Sequence, residues 1–174
     1  MTAIMRGATL PVSLWANQAG RKADIAAGEG WLIGFAWLDH DAPFSDYRGF
    51  DRTITLLEGT GFALELPAGR TLTVREHNKP TAFDGAGPMA CRLLGGPCRV
   101  LNVITAWPGY AHTVQILSGT ALPTIAPGPL VFAVILRGRV GDAGLLDTLH
   151  LTEPMTEAGD AVLAVIRIEQ EPAP

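Results

Sequence analysis

Pro43-Phe44-Ser45-Asp46-Tyr47-Arg48-Gly49-Phe50-Asp51-Arg52-Thr53-Ile54-Thr55-Leu56-Leu57-Glu58-Gly59 is the stretch on which the reading of the whole chain turns. Its second half, Arg52 to Leu57, alternates polar with apolar residues and is rich in Thr and Ile. That pattern marks a strand with one face buried in a sheet. Glu58-Gly59-Thr60-Gly61 breaks it, and Phe62 to Leu66 begins a second alternating run. Two such runs about a glycine-containing turn predict a hairpin. The loop ahead of the first run carries Ser45 and Tyr47 and delivers Arg52 to the head of the strand. This junction is expected to form the mouth of a ligand pocket.

Moving outward, Trp31 to Leu38 is a continuous apolar run of strand length, and Asn17 to Ile25, centred on Gly20-Arg21-Lys22, reads as a loop. Thr71 to Arg75 and Lys79 to Phe83 are further strands. Met89 to Leu94 and Arg99 to Thr105 flank Gly95-Gly96-Pro97 and read as a second hairpin. Tyr110 to Leu117, Leu130 to Leu136, Leu145 to Leu151 and Ala161 to Ile168 complete the set. About eleven short strands, with turn signals every ~8 to 12 residues, predict an all-β sandwich or barrel. The order strand, glycine turn, strand, proline-marked turn recurs after Leu56 and after Ile135. The expected organisation is one compact unit over 1–174. A first β-module spans 10–107, and a second over 108–170 completes a double barrel.

The composition narrows the function. The chain has 174 residues, 48% of them hydrophobic, enough to build a core without disulfides or structural metal. The formal net charge is -4 and no basic run exists, which argues against nucleic acid and anionic membranes as partners. No apolar run reaches the ~18 residues of a membrane span. Cys91 and Cys98 follow no secretory signal and read as reduced thiols of a cytoplasmic protein. A mean hydropathy of +0.24 is consistent with an apolar surface that pairs two copies as a homodimer.

Leu57-Glu58-Gly59 followed by alternating strands resembles the barrel of the cupin superfamily. In the cupin metal motif two histidines precede a glutamate, and a glycine follows that glutamate after seven residues. Aligned on Gly59, the glutamate position holds Arg52, and the two histidine positions hold Ser45 and Tyr47. An arginine is a cation with no acceptor, so it repels a metal ion. The four histidines, His40, His77, His112 and His150, are scattered. No metal and no cofactor is expected. An arginine aimed into a barrel needs an anion instead, because an unpaired buried charge is costly and its planar fork matches a carboxylate. That anion is either a small carboxylate ligand or an internal acid such as Asp46, Asp51 or Glu58.

The ordered set Pro43-Phe44-Ser45, Gly49-Phe50-Asp51-Arg52, Leu56-Leu57-Glu58-Gly59, Phe83-Asp84-Gly85 and Cys91-Arg92-Leu93-Leu94-Gly95-Gly96-Pro97, leading to Leu101-Asn102, resembles the HutD/Ves family. The resemblance runs from about Trp15 to Thr105. It implies a bicupin β-fold, no metal requirement and, in some bacteria, a role in histidine utilisation. There the family is thought to bind an intermediate such as formylglutamate rather than to catalyse a known reaction. Three positions depart from the family pattern. The Lys of an opening Trp-Lys-Asn is Ala16, an Arg-x-Ser is replaced near Ile33-Gly34-Phe35, and an acid before Leu-Asn is Val100. Losing the Lys and the Arg removes positive charge from the pocket region, with Arg21 or Lys22 as the nearest substitutes.

The expected ligand-binding residues are therefore Arg52, Ser45, Tyr47, Asn17, Asn102, Phe44 and Phe83. No histidine is spaced to activate a serine or cysteine, no phosphate loop exists, and no catalytic residue is assigned. The leading expectation is a metal-independent cupin-like protein that binds a small carboxylate, with a regulatory place in amino-acid or histidine catabolism. The alternative is a metal-independent cupin isomerase or hydrolase acting on a small organic acid.

Overall fold

Residues 2–15 and 17–171 are described by a computed structural model. Among them, fifteen strands account for nearly all of the regular structure. In chain order these are β1 (Ala3–Met5), β2 (Val12–Leu14), β3 (Arg21–Gly28), β4 (Trp31–Leu38), β5 (Ala42–Phe44), β6 (Phe50–Glu58), β7 (Phe62–Leu66) and β8 (Arg70–Val74). They continue with β9 (Thr81–Asp84), β10 (Met89–Leu93), β11 (Cys98–Ala106), β12 (Tyr110–Ser118), β13 (Val131–Arg137), β14 (Thr148–His150) and β15 (Val162–Gln170). The fold is all-β. No helix among the described residues is long and apolar enough to cross a membrane.

The chain divides into two compact units. One holds Pro11–Tyr110, and the other combines the residues through Leu10 with Ala111–Gln170. The first unit packs a six-stranded sheet, β2-β3-β4-β11-β6-β9, on a four-stranded sheet, β5-β10-β7-β8. Ile54, Leu56 and Val100 from the larger sheet meet Phe62, Leu64, Val74, Met89 and Cys91 from the smaller one. Each such fully buried side chain is worth about 1.5–3 kcal/mol of transfer free energy. Cys91 and Cys98 are both buried and free. The second unit is built on a five-stranded sheet, β1-β14-β13-β15-β12, with Ala133, Ile135, Leu149, Leu163 and Val165 in its core.

Two expected hairpins are corrected. β6 and β7 do not pair: β6 lies between β11 and β9, and β7 between β10 and β8. The turn at Gly59 and Gly61 is a corner that carries the chain from one sheet to the other. The turn at Gly95-Gly96-Pro97 makes the same transfer in reverse, since β10 pairs with β5 and β7 while β11 pairs with β4 and β6. The physical reason is that both alternating runs bury their apolar faces in one core from opposite sides, which side-by-side pairing would prevent. The two corners lie against each other. Leu94 N–H donates to the Gly61 carbonyl at 3.0 Å. A Cβ on Gly59 (φ 99°) would stand 2.5 Å from the Pro97 carbonyl oxygen.

A third correction concerns Arg21 to Ile25, expected within a loop and found within β3 (Arg21–Gly28). Arg21-Lys22-Ala23-Asp24-Ile25 does alternate, with Ala23 and Ile25 buried, but its apolar side is small and Gly20 masks its start. Pairing with β4 draws it into the sheet, with an irregularity between Asp24 and Ala26. Trp107 is 65% exposed.

Candidate functional site

The inner face of the six-stranded sheet floors a cavity of about 110 Å³ within the first unit. Strand alternation sets which side chains reach it. In register, Asp24 on β3 lies opposite Gly34 on β4, and Gly34 lies opposite Asn102 on β11. Ile104 of β11 pairs with Leu32 on one side and with Arg52 of β6 on the other. The period of two therefore places Lys22, Asp24, Leu32, Gly34, Ala36, Asn102 and Arg52 on one face, and all seven line the cavity. Trp15, Phe44, Ser45 and Tyr47 contribute further wall. Thus the three residues that occupy the cupin ligand positions, Ser45, Tyr47 and Arg52, line one cavity.

Arg52 is the unusual member. It is 3% exposed. Its guanidinium carbon lies 4.7 Å from the Phe44 ring centre, 4.9 Å from Tyr47 and 5.1 Å from Phe83. Three aromatic rings thus surround the cation, an arrangement that supplies quadrupole attraction but no negative charge. Its hydrogen bonding is sparse. Nη1 donates to the Ser45 carbonyl at 3.4 Å, and Nε has no partner. No carboxylate among the described residues forms an ion pair with it. Asp46 instead accepts from Gly87 N–H at 2.9 Å and faces Arg48 at 3.6 Å, while Glu58 faces Arg99 at 3.6 Å. Burial pushes the Arg52 pKa down to about 10, with Tyr47 acting weakly in the opposite sense, so the group stays cationic at neutral pH.

The remaining polar groups differ in character. Asn102 Oδ1 is buried without a partner. Lys22 Nζ donates to both oxygens of Asp24, at 3.0 Å and 2.9 Å, so this pair is internally neutralised. Gly34 makes room for it: a Cβ there would meet the Ala23 carbonyl oxygen at 2.9 Å and Asp24 Oδ1 at 3.5 Å. Lys22 is therefore the cation nearest in sequence to the lost family lysine that lines the cavity. Arg21 is committed elsewhere, bidentate to Asp39 at 2.8 Å and 2.9 Å and over the Trp37 ring.

Five of the seven residues expected from sequence line the cavity: Arg52, Ser45, Tyr47, Phe44 and Asn102. Asn17 and Phe83 do not. Asn17 sits in an exposed turn, where its amide donates to the Pro43 carbonyl at 3.1 Å and accepts from Ala19 N–H at 3.1 Å. It braces the strand that carries Phe44. Phe83, paired with Arg52 across β6 and β9, packs on the guanidinium. Asp24 was missed by sequence reasoning because β3 read as loop; the alternation of Lys22 and Asp24 was the available signal.

The sequence profile of the HutD family matches residues 7–162. A curated relative from Pseudomonas putida, described as an uncharacterized 21.2 kDa protein in the hutC 3′ region, is 32% identical over 163 residues, covering 85% of each chain. Among solved structures, HutD from Pseudomonas fluorescens SBW25, described as the formate condition, superposes with a TM-score of 0.83 at 21% identity over 99% of this chain and all of the other. A cupin 2 conserved barrel domain protein from Leptotrichia buccalis superposes with a TM-score of 0.58 at 10% identity over 85% and 88% of the two chains.

Proposed function

Because the chain belongs to the HutD family, we propose that its first unit binds a small organic carboxylate in the Arg52 cavity. The observation that carries this reading is a guanidinium buried to 3% exposure with no carboxylate partner among the described residues. Burying an unpaired charge is costly, and folded proteins keep such a group when something else completes it. A ligand carboxylate against the guanidinium would supply the missing negative charge and convert the site to an ion pair. The aromatic rings keep the cation desolvated and in place until then. Asn102 adds an amide to the lining.

The chemistry of the ligand positions supports a site without metal, since Arg52 supplies the positive charge where a cupin would place its ion. The location of the P. putida relative beside hutC supports amino-acid catabolism as the setting.

Thermal unfolding in the presence of straight-chain carboxylates of three to six carbons tests the reading. A concentration-dependent rise in melting temperature is expected from at least one member, against chloride at matched ionic strength. Saturation at 100-fold over Kd corresponds to about 2.7 kcal/mol. No rise with any carboxylate would refute it.

A further inference from the structure

We infer that Asp24 makes this cavity selective for monocarboxylates whose uncharged end donates a hydrogen bond. The inference rests on carboxylate binding at Arg52 and concerns what the rest of the ligand looks like.

Charge on the cavity wall comes from three groups. Arg52 is unpaired, whereas Lys22 and Asp24 cancel each other through two short hydrogen bonds. One positive charge is left over, and it is already assigned to one carboxylate. A second ligand carboxylate would have to take Lys22 away from Asp24, which would leave two anions side by side in a partly desolvated space. Like charges so placed repel, less here because Lys22 and Asp24 are 31% and 42% exposed.

The floor between these groups favours a donor. Asp24, Gly34 and Asn102 form one row across three strands. Gly34 contributes no side chain, so the Asp24 carboxylate borders a bare centre, with Asn102 lining the far side. Asp24 is 42% exposed, so its oxygens can accept a further hydrogen bond besides those from Lys22. A ligand amide or hydroxyl can donate to it, and a carboxylate cannot. Trp15, Leu32 and Phe44 supply apolar contact for the carbon chain between the two ends.

Matched acids that differ at one end provide the test. Succinate and glutarate are titrated by calorimetry beside their half-amides, succinamate and glutaramate, which keep the length and replace one carboxylate by a carboxamide. The half-amide is expected to bind at least about tenfold more tightly than its diacid. In Asp24→Asn, which frees Lys22, that preference should shrink to about twofold or reverse. Lys22→Met should widen it, because Asp24 is then unopposed. Thermal midpoints of both variants check that they fold. If the diacids bind wild type as well as the half-amides do, selectivity by Asp24 is wrong while the Arg52 site stands. If neither series binds, the inference falls together with the carboxylate site itself.

Discussion

Arg52 is a residue that the free protein would be more stable without. Its cation is desolvated, and three rings and one long hydrogen bond replace the water it lost. Replacing a buried charged group by an apolar side chain of similar volume is often neutral or stabilising by about 1–4 kcal/mol. Arg52→Met should therefore raise or preserve the unfolding midpoint of the ligand-free protein, measured in urea, while abolishing stabilisation by carboxylates. A large loss of stability would mean that Arg52 has a structural role instead. The pH dependence follows from the same burial. The folded pKa of about 10 lies below the unfolded one, so above about pH 10 the unfolded chain holds the extra proton. The cost of burial is thus fully present at neutral pH and is relieved only as pH rises above that value. Carboxylate affinity should stay level from pH 6 to 9 and fall as the guanidinium deprotonates above about pH 10.

At the scale of the elements, the two adjoining corners hold the sheets of the first unit in place. Gly59 combines a positive φ with a backbone carbonyl where its side chain would be. Gly59→Ala should cost about 2–3 kcal/mol or more, read as a drop in urea midpoint with an unchanged slope. In the second unit, Asp147 ties the N-terminal segment to β14 by accepting from Arg6 Nη1 at 2.8 Å, Gly7 N–H at 2.9 Å and Gly144 N–H at 2.9 Å. Desolvation pushes its pKa up, but those donors outweigh it and leave the carboxyl below its usual 3.8. Its contribution is therefore complete above the unfolded value and is lost as pH falls below it through the folded one. Asp147→Asn should cost about 1.5–3 kcal/mol at pH 7 and less as pH falls below the usual carboxylate range, by urea titration across that range.

These elements also show why some of the architecture was legible and some was not. The alternation in Arg52–Leu57 and Phe62–Leu66 correctly marks strands and inner faces, because that information is local. Whether two neighbouring runs pair or face each other across a core is decided by distant partners: β11 and β9 for β6, β10 and β8 for β7. A glycine turn looks the same in both cases. The site was legible where the motif spacing held, at Ser45, Tyr47 and Arg52, and where an amide interrupted an apolar run, at Asn102. It was not legible at Asp24 and Gly34, whose meaning appears only when β3 and β4 come into register.

Across the whole molecule, the cavity belongs to the first unit alone, and its lining comes from strands far apart in sequence, Lys22 to Asn102. A ligand should therefore slow amide hydrogen exchange in β3, β6 and β11 together, because binding suppresses the local openings that separate them. Strands β13 and β15 of the second unit carry none of the lining and should show little change. Protection confined to β13–β15 would place the binding site elsewhere.

The central claim is that Arg52 is an anion receptor completed by a ligand, and calorimetric titration of wild type and Arg52→Met with the same panel of carboxylates and half-amides tests it most directly. The account predicts saturable one-to-one binding to wild type and no detectable binding to a folded Arg52→Met protein. Equal affinity in the two proteins, or no binding by either, would contradict it.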